Sequence, residues 1–153
     1  PSRTATVWVE HVLDDPDQPI RVLDGPDAAL AGPDALERSE YRVLGDSDRM
    51  GLRLEGELIA IDSPADRRSS PVAPGAIQVA GGLPIVLGPA CGTMGGYPHV
   101  AQVLACDLDR LAQRRPGDAV RFQRVDLREA RRLDRAYRDE LAALVCRLRV
   151  AVS

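Results

Sequence analysis

Apolar and polar residues trade places at short intervals along most of this chain, and only its last stretch settles into the longer period of a helix. Thr4–Leu13 (TATVWVEHVL) is rich in valine and reads as a strand that stops at the Asp/Pro cluster Asp14–Pro19. PIRVLDGPD follows as a second strand, closed by the turn chemistry of Asp24, Gly25 and Pro26. In AGPDALERSE, Pro33 stands where a helix would begin, and Asp34 and Glu37 fall in its first turn, where the helix dipole favours acids. A helix of about two turns is expected there. EYRVL and GLRLEGELIAI alternate, with Leu52 and Leu54 and then Leu58, Ile59 and Ile61 as the apolar members, the period of strands with one buried face.

Asp62–Gly75 holds three prolines and three serines and is the most loop-like segment of the chain. AIQVAGGLPIVLG reads as two short strands joined around Gly81 and Gly82, and HVAQVLA fits either a strand or a helix. Asp107 is placed to cap a short helix, LDRLAQRR, which PGD ends. AVRFQRV alternates as a strand. The final segment is the clearest: Asp126 and Glu129 have capping-box spacing, and Leu127, Ala130, Leu133, Tyr137, Leu141, Leu144, Val145 and Leu148 recur near the helical period, with arginines on the other face. The spacing predicts one amphipathic helix over 126–149, about five or six turns long. Many short strands, frequent turn signals and small helices before the last one give a mainly β, barrel-like domain. The expected organisation is an N-terminal strand and linker over 1–19 and a barrel with its C-terminal helix over 20–149.

Length and composition narrow the picture. With 153 residues, 44% hydrophobic and 28% charged, the chain suits one compact domain. Aromatics are 3%, so the core must be aliphatic and stacking platforms for single-stranded nucleic acid are not expected. The net charge is −3, every basic residue is arginine, and acids interleave with them, so no basic stripe points to nucleic acid. Cys91, Cys106 and Cys146 are widely spaced, with no CxxC pair to suggest a disulfide framework or zinc. Reduced thiols and a cytoplasmic location are expected, and no apolar run has the length of a membrane span.

The stretch GPACGTMGGYPHV, Gly88 to Val100, joins four glycines to a cysteine, a threonine, a tyrosine and a histidine. Such a loop is either a tight bend in a barrel or a set of backbone N–H groups turned toward an anion, and it matches neither a P-loop nor a dinucleotide fingerprint. A nucleophilic pair of Cys91 and His99 is disfavoured beside an inert thiol, and His11 and His99 have no carboxylate at ligand spacing, so no metal is expected. Arg49, in SDRMGLRLEG, is suited either to bidentate recognition of a carboxylate or phosphate, or to pairing with Asp46, Asp48 or Glu55. The arginine face of the last helix is a solvated surface with pairs such as Asp134 and Arg138, or a surface that a partner covers.

Three motifs in order, SDRMGLRLEG, SSPVAPGAIQVAGGLPIVL and GTMGGYPHVAQVLACDLDRLAQRRPGDAVRF, resemble the biotin-dependent carboxyltransferase-like family that includes the 5-oxoprolinase C subunit, the Kip antagonist and part of the urea carboxylase carboxyltransferase domain. The resemblance runs from Ile20 to Leu148 and looks like the C-terminal half of complete members. It implies a cyclophilin-like β-barrel, a homologue of the B subunit as partner, joined in the oxoprolinase case by a homologue of the A subunit, and a small amide or lactam as substrate. It implies no tightly bound cofactor, with ATP or carboxybiotin reaching the chemistry through the complex. Carried over residue by residue, it makes Arg49 a binder of a substrate carboxylate or acyl phosphate, Gly95 and Gly96 backbone donors, and Thr93, Tyr97 and Gln78 orienting groups. Where the family reads Asp-Arg-Gln-Thr-Thr-Gly-Gly-Tyr, this chain has Ala90, Cys91, Gly92, Thr93, Met94, Gly95, Gly96 and Tyr97, so an acid, an arginine, a glutamine and a threonine are replaced. The alternative that this leaves is a non-catalytic regulatory barrel like the Kip antagonist.

Overall fold

The computed structural model describes residues 18–62 and 67–152. The strand expected over 4–13, and most of the linker over 1–19, lie outside the described residues. Among the described residues ten strands form: β1 (Ile20–Asp24), β2 (Tyr41–Val43), β3 (Gly51–Glu55), β4 (Ser70–Pro71), β5 (Ala76–Ala80), β6 (Leu83–Leu87), β7 (Met94–Gly95), β8 (His99–Val103), β9 (Ala119–Val120) and β10 (Phe122–Arg124). The helices are α1 (Leu108–Ala112) and α2 (Leu127–Val152), with single 3₁₀ turns at Ala28–Leu30 and Ala105–Asp107.

Eight strands make one sheet in the order β10-β1-β8-β5-β6-β3-β2-β9, and β4 pairs with β7 in a separate two-stranded ladder. The two ends of that order, β9 and β10, are neighbours in sequence, split only by Arg121. The single strand expected for AVRFQRV is therefore two. At Arg121 the chain changes partners, from β2, where Val120 faces Tyr41, to β1, where Phe122 faces Ile20 in the sheet's one parallel pairing. This segment is the clasp that brings the sheet round on itself as a nearly closed barrel.

The interior is aliphatic, as the composition requires: Ile20, Val22, Leu36, Leu54, Ile77, Val86, Val100 and Val103 are all buried in one cluster. Tyr41 is fully buried against Phe122, ring centres 5.8 Å apart, and its hydroxyl donates to the Ala35 carbonyl at 3.3 Å. The β5–β6 hairpin turns on Gly81 (φ 59°) and Gly82 (φ 83°), with Ala80 facing Leu83. Two consecutive positive φ values are what a tight two-residue hairpin needs, and glycine supplies them at least cost.

Other expectations are corrected. Residues 33–40 form no helix: Gly32 and Asp34 both take positive φ, 73° and 57°. The amides of Glu37 and Arg38 return to the Asp34 carbonyl for a single turn, which drops Leu36 into the core. Glu37 does not serve a helix dipole; its carboxylate accepts from the Arg124 amide at 2.6 Å. The strand ends at Glu55, and the Leu58–Ile61 segment is irregular, with Leu58 exposed and Ile59 buried. HVAQVLA resolves to a strand, and the proline-rich loop contributes the short β4.

Asp107 precedes α1 without capping it. Its fully buried carboxylate accepts instead from Arg21, at 2.7 Å from the backbone amide and 2.8 Å from Nε, and pairs with Arg110 at 3.3 Å. Burial alone would raise this carboxyl, but the Arg21 hydrogen bonds and the two guanidinium charges outweigh it and hold the group below its usual range.

Half of the expected capping box forms: Asp126 accepts from the Glu129 amide at 2.7 Å, while the Glu129 carboxylate accepts from Arg132 at 2.8 and 2.6 Å. The helix runs 26 residues, about 39 Å, and is longer than expected. Ala130 docks on Leu104 and Cys106, with Leu133 and Tyr137 packed alongside. Beyond Tyr137 the stripe leaves the barrel: Leu141 and Val145 are exposed, as is Leu127 at the other end. The expected Asp134–Arg138 pair forms at 2.9 Å.

Candidate functional site

Strand register puts two polar side chains, Gln78 and Arg53, on the outer wall of the barrel. Gln78 faces Ile85 across β5–β6, and Ile85 faces Arg53 across β6–β3, while Leu87 faces Gly51. Register partners leave a sheet on the same side, so Gln78, Ile85, Arg53, Leu87 and Gly51 share one face. Ile77, Val86 and Leu52, the alternate residues, belong to the core or pack against it. In LPIVL, Pro84 and Val86 are buried on the inner side, while Leu83, Ile85 and Leu87 are only partly buried and the last two line the outer wall.

Between that wall and the ladder lies a cleft of about 200 Å³, lined by Met50, Gly51, Gln78, Cys91, Met94 and Tyr97 among others. Residues of all three sequence motifs meet here. Gln78 is buried, and its side-chain amide donates to the Tyr97 carbonyl at 2.9 Å. A Cβ on Gly95 would stand 2.3 Å from that amide nitrogen, so the glycine is what lets the carboxamide lie across the loop backbone. Gly88 has a similar reason, since a Cβ there would stand 2.3 Å from the Arg49 carbonyl. None of Gly88, Gly92, Gly95 and Gly96 takes a positive φ. Gly88 and Gly95 are thus needed for clearance and not for unusual dihedrals, while Gly92 and Gly96 have room for a Cβ at ordinary contact distance.

Residues 2–124 match the family model of the carboxyltransferase domain, subdomain A and B. The chain belongs to this carboxyltransferase-domain family. It is 38% identical over 112 residues to the 5-oxoprolinase C subunit of Haemophilus influenzae and 35% identical over 130 residues to that of Escherichia coli. Those alignments cover 71% and 80% of this chain but 36% and 42% of the two relatives. Among solved structures, the Kluyveromyces lactis urea amidolyase superposes with a TM-score of 0.72 at 23% identity, over 78% of this chain and 8% of that one, a likeness of fold.

Within this carboxyltransferase-domain barrel the six residues singled out from sequence do not gather at one point. Gln78 and Tyr97 line the cleft. Gly95 lies in the ladder opposite Ser70 and abuts Gln78. Gly96 is exposed, with Ser69 Oγ 3.8 Å from where its Cβ would be. Thr93 is exposed, and its carbonyl accepts from the Val72 amide at 3.0 Å, extending the β4–β7 ladder. Arg49 lines a different cavity, of about 590 Å³, shared with Val43, Leu52, Leu108 and Leu111 at the end of the barrel. Its local acids are otherwise engaged: Asp46 pairs with Arg53 at 3.6 Å, and Asp48 accepts from the Met50 amide at 2.8 Å. Leu87, Ile85 and Arg53 line the cleft but were not marked as site residues by the sequence; the register reveals them, and Val72 joins them from the segment after β4.

Cys91 lines the cleft, and His99 does not partner it. His99 is the register partner of Gln78, at a bulge where the β5–β8 pairing slips. Its backbone amide donates to Asp27 at 2.8 Å, and Asp27 also pairs with Arg67. The imidazole is buried and its Nε2 has no hydrogen-bond partner. Burial pushes its pKa below the ordinary value, against smaller raising effects of an Ala101 backbone hydrogen bond and Asp27, with Arg67 adding to the depression. The folded barrel therefore binds this proton less readily than the unfolded chain, and stability should be intact above about pH 6.5 and fall as the pH drops below it. Denaturant unfolding at pH 7.5 and 5.5 checks this: the wild-type loss should shrink in His99→Phe, and an unchanged loss would assign the dependence elsewhere. Among the described residues no three His, Cys, Asp or Glu side chains gather as a metal site, and no helix is long and apolar enough to cross a membrane.

Proposed function

We propose that this chain is the barrel portion of a 5-oxoprolinase component of the C-subunit type, which works on a small amide or lactam together with homologues of the B and A subunits. The observation that carries the reading is the convergence of Met50 and Gly51, Gln78, and Met94 and Tyr97, from three separated motifs, on one small cleft. The names of the two curated relatives supply the chemistry. In this reading Gln78 and the loop backbone orient the amide, as preorganised donors would for an oxygen gaining charge. Arg49 serves the second cavity or a partner surface, since it does not line the cleft. The chain has no phosphate-binding loop pattern and Arg53 is paired with Asp46, so ATP or carboxybiotin is assigned to the partner proteins. The barrel is assigned to the cytoplasm with them.

Two observations favour a second reading, a regulatory barrel that binds without turning over. The carboxylate in the cleft lining, Asp48, is committed to the Met50 and Gly51 amides. Ala90, where the resemblance expects an acid, is exposed, and its amide donates to the Arg49 carbonyl at 3.0 Å.

Mixing the chain with its B-type and A-type partners, confirming association by mass, and measuring ATP hydrolysis with and without 5-oxoproline separates the two. Stimulation by 5-oxoproline is the expected result. Association without stimulation would replace the catalytic reading with the regulatory one, and Ala90→Asp should then be tested for gain of turnover.

A further inference from the structure

Past the barrel, α2 carries an apolar seam with a defined period. Tyr137, Leu141, Leu144 and Leu148 follow one another at steps of four, three and four, the spacing of alternating a and d positions in a heptad. Tyr137 is half-covered by the barrel, while Leu141 and Val145 are exposed and Leu144 and Leu148 are only partly covered. The residues that flank this seam on one side, at the g positions, are Glu140 and Arg147.

We propose that this seam is a self-association surface on which a second copy of the chain packs its own α2 in antiparallel orientation. The charges fix the direction. In an antiparallel pair g positions face g positions. If Leu141 meets Leu144 of the other copy and Tyr137 meets Leu148, then Glu140 falls opposite Arg147, and the symmetry repeats the pair at the other end. Two reciprocal ion pairs then bracket the central leucine layers. A parallel pair in register sets Glu140 beside Val145, which gives the acid no cation to meet. It would also bring both barrels to the same end of the same face, where Ala130, Leu133 and Tyr137 already hold one.

The antiparallel arrangement puts the barrels at opposite ends, and the seam runs out where the barrel begins. It is short, about 16 Å from Tyr137 to Leu148, so a reversible dimer is expected instead of an obligate one.

Sedimentation equilibrium of the whole chain from micromolar to near-millimolar concentration tests this. The expected mass climbs from 16.5 kDa toward twice that value. Leu141→Asn with Leu144→Asn should hold it at the monomer mass. Glu140→Arg and Arg147→Glu should each weaken the dimer roughly tenfold, and the double variant, which restores both pairs with signs reversed, should recover most of that loss. All four substitutions lie beyond the docked part of the helix, so circular dichroism should report an unchanged fold. A monomer at every concentration, including the case in which another protein covers the seam, overturns the proposal. So does a dimer indifferent to the two asparagines, or a charge reversal that does not rescue.

Discussion

Replacing Asp107 with alanine is expected to cost the barrel roughly 3–5 kcal/mol, enough to leave a domain of ordinary stability marginal at room temperature. The carboxylate is fully buried, and it holds the backbone amide and the guanidinium of Arg21 together with Arg110. Removing it takes an acceptor from a largely buried guanidinium and from an amide of β1, breaks the network that Arg21 and Arg110 share, and a buried donor that loses its acceptor costs far more than an ordinary contact gives. Asp107→Asn keeps one acceptor and should cost less. Urea unfolding followed by circular dichroism checks both; an alanine variant within about 1 kcal/mol of wild type, on the scale of a surface substitution, would show that Arg21 and Arg110 find water instead.

The pH dependence has a definite sign. Because the folded carboxyl titrates below its unfolded value, its stabilisation is complete above the usual carboxylate range and disappears as the pH falls through the depressed folded value. Acid unfolding should therefore begin earlier in Asp107→Asn, which starts from lower stability, yet depend less steeply on pH. The loss at pH 5.5 from His99 lies above this window, so the two effects can be read separately.

The second large effect is on activity. Gly95→Ala should lower 5-oxoproline-stimulated ATP hydrolysis by roughly 10- to 100-fold in the reconstituted complex, the scale on which an ångström of misplacement acts. The new methyl collides with the end of a side chain, the Gln78 carboxamide, and not with backbone, so the amide moves and the fold gives little. Gly96→Ala is the control, because its Cβ meets nothing closer than an ordinary contact with Ser69. The side-chain amide signals of Gln78 in an NMR spectrum report the displacement without any turnover. Equal activity in the Gly95 and Gly96 variants would remove Gln78 from the site.

How far these features were readable in advance differs by kind. Strands β1 and β3 follow from alternation, and β5 and β6 from short apolar runs on either side of Gly81 and Gly82, because their inner faces are aliphatic and their ends carry glycine or Asp-Gly-Pro. The helix expected after Pro33 failed because Asp34 takes a left-handed turn and Leu36 is worth more in the core than another helical turn. Asp107 looked like a cap because it precedes a helix, and a carboxylate's distant cation, Arg21, leaves no mark on local sequence. The site was legible as three motifs and as Gln78 and Tyr97. Ile85, Leu87 and Arg53 depend on register, a long-range fact, and the separation of Arg49 from Gln78 depends on how the bend before β3 leaves the sheet, which local sequence does not show.

The clasp at residues 119–124 also sets a schedule. β1 pairs with β8 on one side and β10 on the other, so the earliest of the described strands waits for segments made long after it. At a synthesis rate of roughly 5–20 residues per second, about a hundred residues separate β1 from its final neighbour by something on the order of ten seconds. Until Ala119–Arg124 emerges, β1 and β2 each present an open edge, the kind of surface on which nascent chains pair with the wrong neighbour. A chain stopped just short of Ala119 keeps both edges and nearly all of the core residues, and aggregation on release from the ribosome should be its characteristic fate.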